Sequence, residues 1–318
     1  MANSHCSPGD NESFTIGLLD FGVVPSARSV EACLADTVSL VQRAELLGFS
    51  RYWLAEHYAT NGAWTSPTPM LALLTAETDK IRLGAAGILL AHYPPFAVAN
   101  DFALLAAVSA GRIDLGMVSA TVQTPVPITQ PPPDWSPVAF AERVKTIAGF
   151  YDTRQSPQVS KMDDRVIPGA NHRPALWVLG SSESSARLAG TVSAGYGTTL
   201  FLNAPSAGPS IAAYAPSFRG TKQMSRPHSV VAVAGICADT PANAQLLLKQ
   251  HINPWVRPNV VGTVEDCAAL FRRALRITKA NEIVFLDLAQ DPDARQATCT
   301  MLASLLPVKT VTEFDRPT

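Results

Sequence analysis

Residues 51–58 read RYWLAEHY, a run fit for a buried strand (Arg51, Tyr52, Trp53, Leu54, Ala55) that ends abruptly in Glu56, His57 and Tyr58. Aromatic and aliphatic side chains in such a run suit a pleated surface covered on both faces. The three residues that follow can exchange protons or donate hydrogen bonds, so the chain passes from core to chemistry in one peptide step. The neighbourhood shows what kind of fold ends a strand this way. Upstream, FTIGLLD at 14–20 reads as a strand, and residues 29–47 read as a helix with Val30, Leu34, Val38, Val41 and Leu46 near the 3.6 period, closed by Gly48. Downstream come a helix over 67–78, a strand over 81–89, a helix from Pro94-Pro95 to Ser109 and a strand over 112–117. The second half repeats the rhythm, with strands near 175–180, 197–202, 228–237 and 282–288 and helices near 182–194, 240–250, 263–278 and 291–306. Eight strands alternating with helices, with no linker between halves, predict an α/β fold, a single (β/α)8 TIM barrel, rather than two doubly wound domains. The expected barrel domain spans 14–307, between tails at 1–13 and 308–318.

Bulk composition narrows the function. The 318 residues are 47% hydrophobic and 16% charged with a formal net charge of -1, so the chain can bury a large core and has no general attraction to polyanions. Nucleic acid is excluded as the expected partner. The N-terminus has no basic start followed by an apolar run, and no stretch reaches the roughly 18 uninterrupted apolar residues of a membrane helix. The expectation is a cytoplasmic protein. Cys6, Cys33, Cys237, Cys267 and Cys299 are odd in number and without paired spacing, which argues for reduced thiols and against a disulfide framework or a metal site.

Two stretches break the rhythm. Residues 119–137 (SATVQTPVPITQPPPDWSP) and 203–227 carry too many prolines and glycines for regular structure, and the first follows the fourth strand, on the face where a barrel keeps its chemistry. Both are expected to be irregular insertions at the C-terminal face rather than linkers. On that face Glu56 and His57 stand at the barrel mouth. A plainer reading, in which Glu56 caps the next segment and His57 is a satisfied polar residue, stays open from position alone.

Four stretches in this order, GFSRYWLAEHY, IRLGAAGILLAHYPPFAVANDFALLAAVSAGRIDLG, LWVLGSSESSARLAG and VVGTVEDCAALFRRAL, resemble the bacterial luciferase-like flavin monooxygenases, with likeness extending from about Phe14 to Leu306. The resemblance implies reduced FMN at the C-terminal mouth, dioxygen as co-substrate, and oxygen transfer to a hydrophobic small molecule. It implies His57 as a proton relay beside the flavin with Glu56 next to it. It also implies a non-proline cis peptide at Ala86-Gly87 beneath the ring system, within the small-residue segment Ala85-Ala86-Gly87. Small residues make sense there, because a flat ring lying on backbone leaves little room for side chains.

The phosphate of such a cofactor needs donors. Gly180, Ser181, Ser182 and Ser185 supply a strand end, a turn and a helix start, whose free N–H groups and hydroxyls can converge on an anion, although a serine N-cap explains one of them equally well. The sequence departs from the family where an arginine usually follows the GRIDLG stretch: Ser119 stands there, leaving Arg143 and Arg187 as candidate replacements. With no second dinucleotide fingerprint, reduced FMN is expected from a separate flavin reductase. Trp64, Trp135, Phe201 and Trp255 are candidate pocket walls, and the alanine- and proline-rich text associates weakly with antibiotic biosynthesis. Helices near 67–78 and 95–109, apolar on more than one face, predict a homodimer. A deazaflavin-dependent oxidoreductase on the same barrel and a flavin-binding protein without turnover are the alternatives.

Overall fold

The computed structural model describes residues 13–58, 61–121, 132–151, 172–221, 224–251 and 256–307. Its strands in chain order are β1 (Ile16–Asp20), β2 (Arg51–Leu54), β3 (Arg82–Leu89), β4 (Ile113–Val118), β5 (Ala175–Leu179), β6 (Gly195–Thr199), β7 (Ser229–Cys237), β8 (Val260–Gly262) and β9 (Glu282–Asp287). All pair in parallel, β1 to β7 as neighbours except that β9 lies between β7 and β1, which closes an eight-stranded ring. Each predicted strand position falls on a member of that ring. The unpredicted strand, β8, stands outside it and pairs only with Gly235, Ile236 and Cys237 at the end of β7.

Nine helices cover the described ring: α1 (Val30–Leu47), α2 (Pro67–Ala76), α3 (Pro95–Val108), α4 (Pro137–Tyr151), α5 (Glu183–Thr191), α6 (Leu200–Tyr214), α7 (Pro241–Leu248), α8 (Val264–Thr278) and α9 (Pro292–Ala303). Their ends follow local chemistry. Ser29 caps α1 by accepting from the Ala32 N–H, and Gly48 ends it with φ at 93°, a left-handed conformation that glycine adopts without a Cβ penalty. Proline opens α2, α3 and α7, where its missing N–H would have been unpartnered anyway. All nine residues of β7 are buried, and alternate ones serve two cores: Val230, Ala232, Ala234 and Ile236 fill one cluster with Trp53 and Trp177, while Val231 and Val233 pack in the other with the helices.

One prediction is corrected. Residues 203–227 were expected to be irregular, yet 200–214 form α6, with a break at Asn203 (φ -151°, ψ 74°). The break explains the composition: Pro205 lies in the first turn of the segment that restarts there, where a missing N–H is harmless, and only Pro209 removes a helical hydrogen bond. The 119–137 stretch is described only at its ends, and α4 begins at Pro137. The tails, Trp255 and Cys6 fall outside the described residues.

The N-terminal end of the barrel is closed by a charged plug. Arg51, 5% exposed at the start of β2, donates from Nε and Nη2 to the two oxygens of Glu282 (2.7 and 2.9 Å) and from Nη1 to Asp114 Oδ2 (2.6 Å). Arg82 donates to Asp114 Oδ1, the Trp53 indole to Asp114 Oδ2, and Ser50 and His228 complete the shell of Glu282. The Arg51 guanidinium also lies 4.7 Å from the Trp177 ring centre. Glycines make the room: a Cβ at Gly17 would meet Arg51 Cγ at 2.4 Å, and one at Gly195 would meet the Trp177 ring at 2.4 Å. Burial alone would raise the Glu282 carboxyl, but the Arg51 charge and the bonds from His228, Arg51 and Ser50 outweigh it and hold it at about 2.

Candidate active site

At the opposite end, β2 stops at Leu54 and the next residues reach the mouth. Glu56 is buried, and both its oxygens are taken: one accepts from the Leu89 N–H at 2.9 Å, the other from the Tyr93 hydroxyl at 2.8 Å. Burial pushes the Glu56 carboxyl above its ordinary value, partly offset by these donors. The Tyr93 hydroxyl in turn lies 3.3 Å from that of Tyr58. Burial also raises Tyr93 far beyond the neutral range, so it stays a protonated donor. The carboxylate thus straps the end of β2 to the end of β3. It does not cap a helix.

His57 points the other way. Its ring lies open in the crater, with its centre 4.5 Å from that of Phe21, and among the described residues no hydrogen-bond partner reaches it. Open surface does not restore full hydration here: the walls of the mouth strip enough water from the ring to lower its pKa, which favours the neutral imidazole. Phe21, at the end of β1, also meets Phe201, at the end of β6, with ring centres 6.5 Å apart. One side of the crater is therefore aromatic.

Between them runs β3. The Ala86-Gly87 peptide is cis, and the register of β3 against β4 shifts between Ala85 and Ile88. Backbone packs on backbone here: a Cβ at Gly87 would sit 2.8 Å from the Gly116 carbonyl oxygen, and one at Gly116 would sit 2.3 Å from that of Ala85. The segment is flat and carries no side chain larger than a methyl at Ala85, Ala86 and Gly87, a surface against which a planar ring system can lie.

The serines cluster at the end of β5. Ser182 caps α5, its Oγ accepting from the Ser185 N–H at 3.2 Å, while Ser185 Oγ donates back to the Ser182 carbonyl at 2.8 Å. The cap reading therefore holds for Ser182. Ser181, Ser182 and Ser184 are exposed, and Gly180 is required because a Cβ would lie 2.7 Å from Ser185 Oγ. Ser119 is exposed one residue beyond Val118, which pairs with Leu179, so it neighbours Gly180 across the sheet. Neither candidate arginine is free. Arg143 donates to the carbonyls of Leu90 and Tyr93 and stacks 5.2 Å from the Trp135 ring, and Arg187 pairs with Glu183 at 2.8 Å.

Sequence reading overlooked Phe21, Tyr93 and His92. Tyr93 and His92 lie within the AHYPP stretch, and their spacing from Glu56 carries no signal until β2 and β3 are placed side by side. His92 holds a buried Nε2 with no partner among the described residues, and burial and the Arg143 charge lower its pKa. Of the expected wall residues that are described, Phe201 lines the mouth against Phe21. Trp64 is buried beneath the β1–α1 connection, its indole donating to the Ala55 carbonyl, and Trp135 donates to the Ser119 carbonyl and packs on Phe140. No group of three metal-ligating side chains forms among the described residues.

Comparison with known proteins matches residues 14–298 to the luciferase-like monooxygenase family. The chain belongs to that family. It is an oxidoreductase of the monooxygenase type. An uncharacterized Bacillus subtilis (strain 168) relative, YceB, is 34% identical over 242 residues, 74% of this chain and 73% of its own. Among solved structures, apo-MsnO8 superposes with a TM-score of 0.79 at 24% identity, covering 92% of this chain and 98% of its own. The oxygenating constituent of 3,6-diketocamphane monooxygenase from the Pseudomonas putida CAM plasmid, solved with FMN, gives 0.71 at 15% identity, covering 92% and 96%. An F420-dependent secondary alcohol dehydrogenase shares the fold at a TM-score of 0.66 and 13% identity, covering 93% and 100%. At such identities these structures establish the fold.

Proposed function

We propose that this luciferase-like monooxygenase uses reduced FMN and dioxygen to oxygenate a hydrophobic small molecule, as a cytoplasmic enzyme supplied with flavin by a separate reductase. The observation that carries the reading is the convergence of His57, the flat Ala85-Ala86-Gly87 segment and the Ser181–Ser185 turn at the ends of neighbouring strands, facing an aromatic wall. Bound reduced FMN supplies the electrons that activate dioxygen. The chain supplies the rest. Ala85, Ala86 and Gly87 support the ring system, and Gly180, Ser181, Ser182 and Ser185, with Ser119 beside them, hold the phosphate at the start of α5. Neutral His57 accepts or donates a proton at its free ring nitrogens. Glu56 acts as a positioning residue, locking the ends of β2 and β3 through Leu89 and Tyr93. Phe21 and Phe201 exclude water and favour an apolar substrate. A natural-product tailoring step fits that wall.

The phosphate end provides a sharp test, because both candidate arginines, Arg143 and Arg187, are engaged elsewhere. Ser119→Arg is expected to tighten reduced FMN by about 5- to 30-fold in anaerobic titration, since a guanidinium fork meets two phosphate oxygens for about 1 to 2 kcal/mol. Riboflavin, without the phosphate, is expected to gain little. Equal tightening of both ligands would show general loop stabilisation and remove the phosphate assignment.

The reading also includes a homodimer. Phe96, Leu104 and Val108 form an exposed stripe on α3, Val108 being 71% exposed, with Leu73 of α2 and Val138 of α4 also uncovered. Such an apolar surface is expected to be covered by a symmetric mate. Sedimentation at micromolar concentration is expected to give a dimer, and Leu104→Glu combined with Val108→Glu a monomer. A monomeric wild-type protein contradicts the assignment.

A further inference from the structure

The face opposite the mouth holds a cleft of ≈ 560 Å³ between the starts of β2, β3, β4, β5 and β7. Its floor is the plug, Arg51, Asp114 and Trp177, all buried, and its rim carries Arg173 and Arg226. The charges on the floor cancel: Arg51 and Arg82 face Asp114 and Glu282. The rim is different. Arg173 is half-buried and Arg226 exposed, and among the described residues neither has a carboxylate partner. Among the described residues the cleft therefore carries a surplus of two guanidiniums, with His228, bonded to Glu282, beside them. A second observation is independent of charge. The buried Trp177 ring lines the cleft, an aromatic floor beneath the two guanidiniums.

We propose that this cleft binds a phosphorylated small molecule, with its phosphate between Arg173 and Arg226 above the Trp177 floor. The cleft has the size of small-molecule sites. A phosphate monoester carries about -1.5 to -2 charges at neutral pH, which matches the surplus, and each guanidinium can meet two of its oxygens. The site is separate from the serine turn, since Arg173 precedes β5 and the serines follow it. It does not depend on the flavin reading.

Calorimetric titration of the full chain with inorganic pyrophosphate, at ionic strength held constant with KCl, tests the assignment. Binding is expected, weakened about tenfold or more in Arg173→Ala/Arg226→Ala. Neither arginine pairs within the described fold, so the double variant is expected to melt with the wild type. Arg226→Glu, at an exposed position, reverses the charge without touching the core and is expected to abolish binding. Failure to bind at millimolar concentration, binding that both variants retain, or succinate binding more tightly than pyrophosphate overturns the proposal.

Discussion

His57→Ala is expected to lower turnover by roughly 100-fold or more while the melting temperature stays within about two degrees of wild type. The two halves of this expectation have one cause. The His57 ring makes no hydrogen bond among the described residues and packs chiefly on Phe21, so removing it costs the fold little. The same freedom leaves both ring nitrogens available for proton transfer. Because burial lowers the imidazole pKa, the neutral form persists below the usual value of about 6.5, and the acid limb of the rate profile is expected there. His57→Gln, which keeps the shape and one hydrogen-bonding end, is expected to keep flavin binding without restoring the acid limb. Near-normal turnover in His57→Ala would return the residue to wall packing. Glu56→Gln provides the contrast: one acceptor oxygen becomes a donor in a buried strap, so stability falls along with rate.

The second large effect lies at the other end of the barrel and concerns stability. Glu282→Gln is expected to cost about 3 kcal/mol at neutral pH, because Arg51 then keeps a single carboxylate partner in a buried site. The cost depends on pH in a definite direction. The folded carboxyl is held at about 2, below its unfolded value, so its stabilisation is fully present above the unfolded value and is lost as the pH falls towards 2. The stability gap between wild type and variant is therefore expected to be widest above about pH 5 and to narrow steadily in acid. Urea titrations at several pH values measure it. A gap that is small, or that stays constant down to pH 3, would show that the plug is held by packing of Arg51 on Trp53 and Trp177 and not by charge.

The fold was legible because the barrel strands are buried on both faces and punctuated by caps that local sequence specifies, such as Ser29 and Gly48 for α1. The boundary at 203 was misread because proline content describes a segment's composition and not the phase of its helix: a single break at Asn203 moves Pro205 to a harmless position. The site was legible in part. Glu56-His57 stands out in the sequence by its contrast with RYWLA, and the Ala86-Gly87 cis peptide was reached through family likeness alone. Tyr93 and Phe21 were missed because their roles come from the pairing of β1, β2 and β3, which joins residues far apart in the chain. The charged plug was missed for the same reason. Arg51, Asp114 and Glu282 are separated by many residues and meet only where the ring closes.

The central claim, that the C-terminal mouth holds reduced FMN for reaction with dioxygen, is tested most directly by anaerobic titration followed by rapid mixing with oxygenated buffer. Reduced FMN is expected to bind and reduced F420 not to compete with it, and oxygen is expected to reoxidise the bound flavin at a rate that His57→Ala alters. Tight binding of F420 in place of FMN, or bound flavin whose reoxidation matches that of flavin free in solution and ignores His57, would contradict the account.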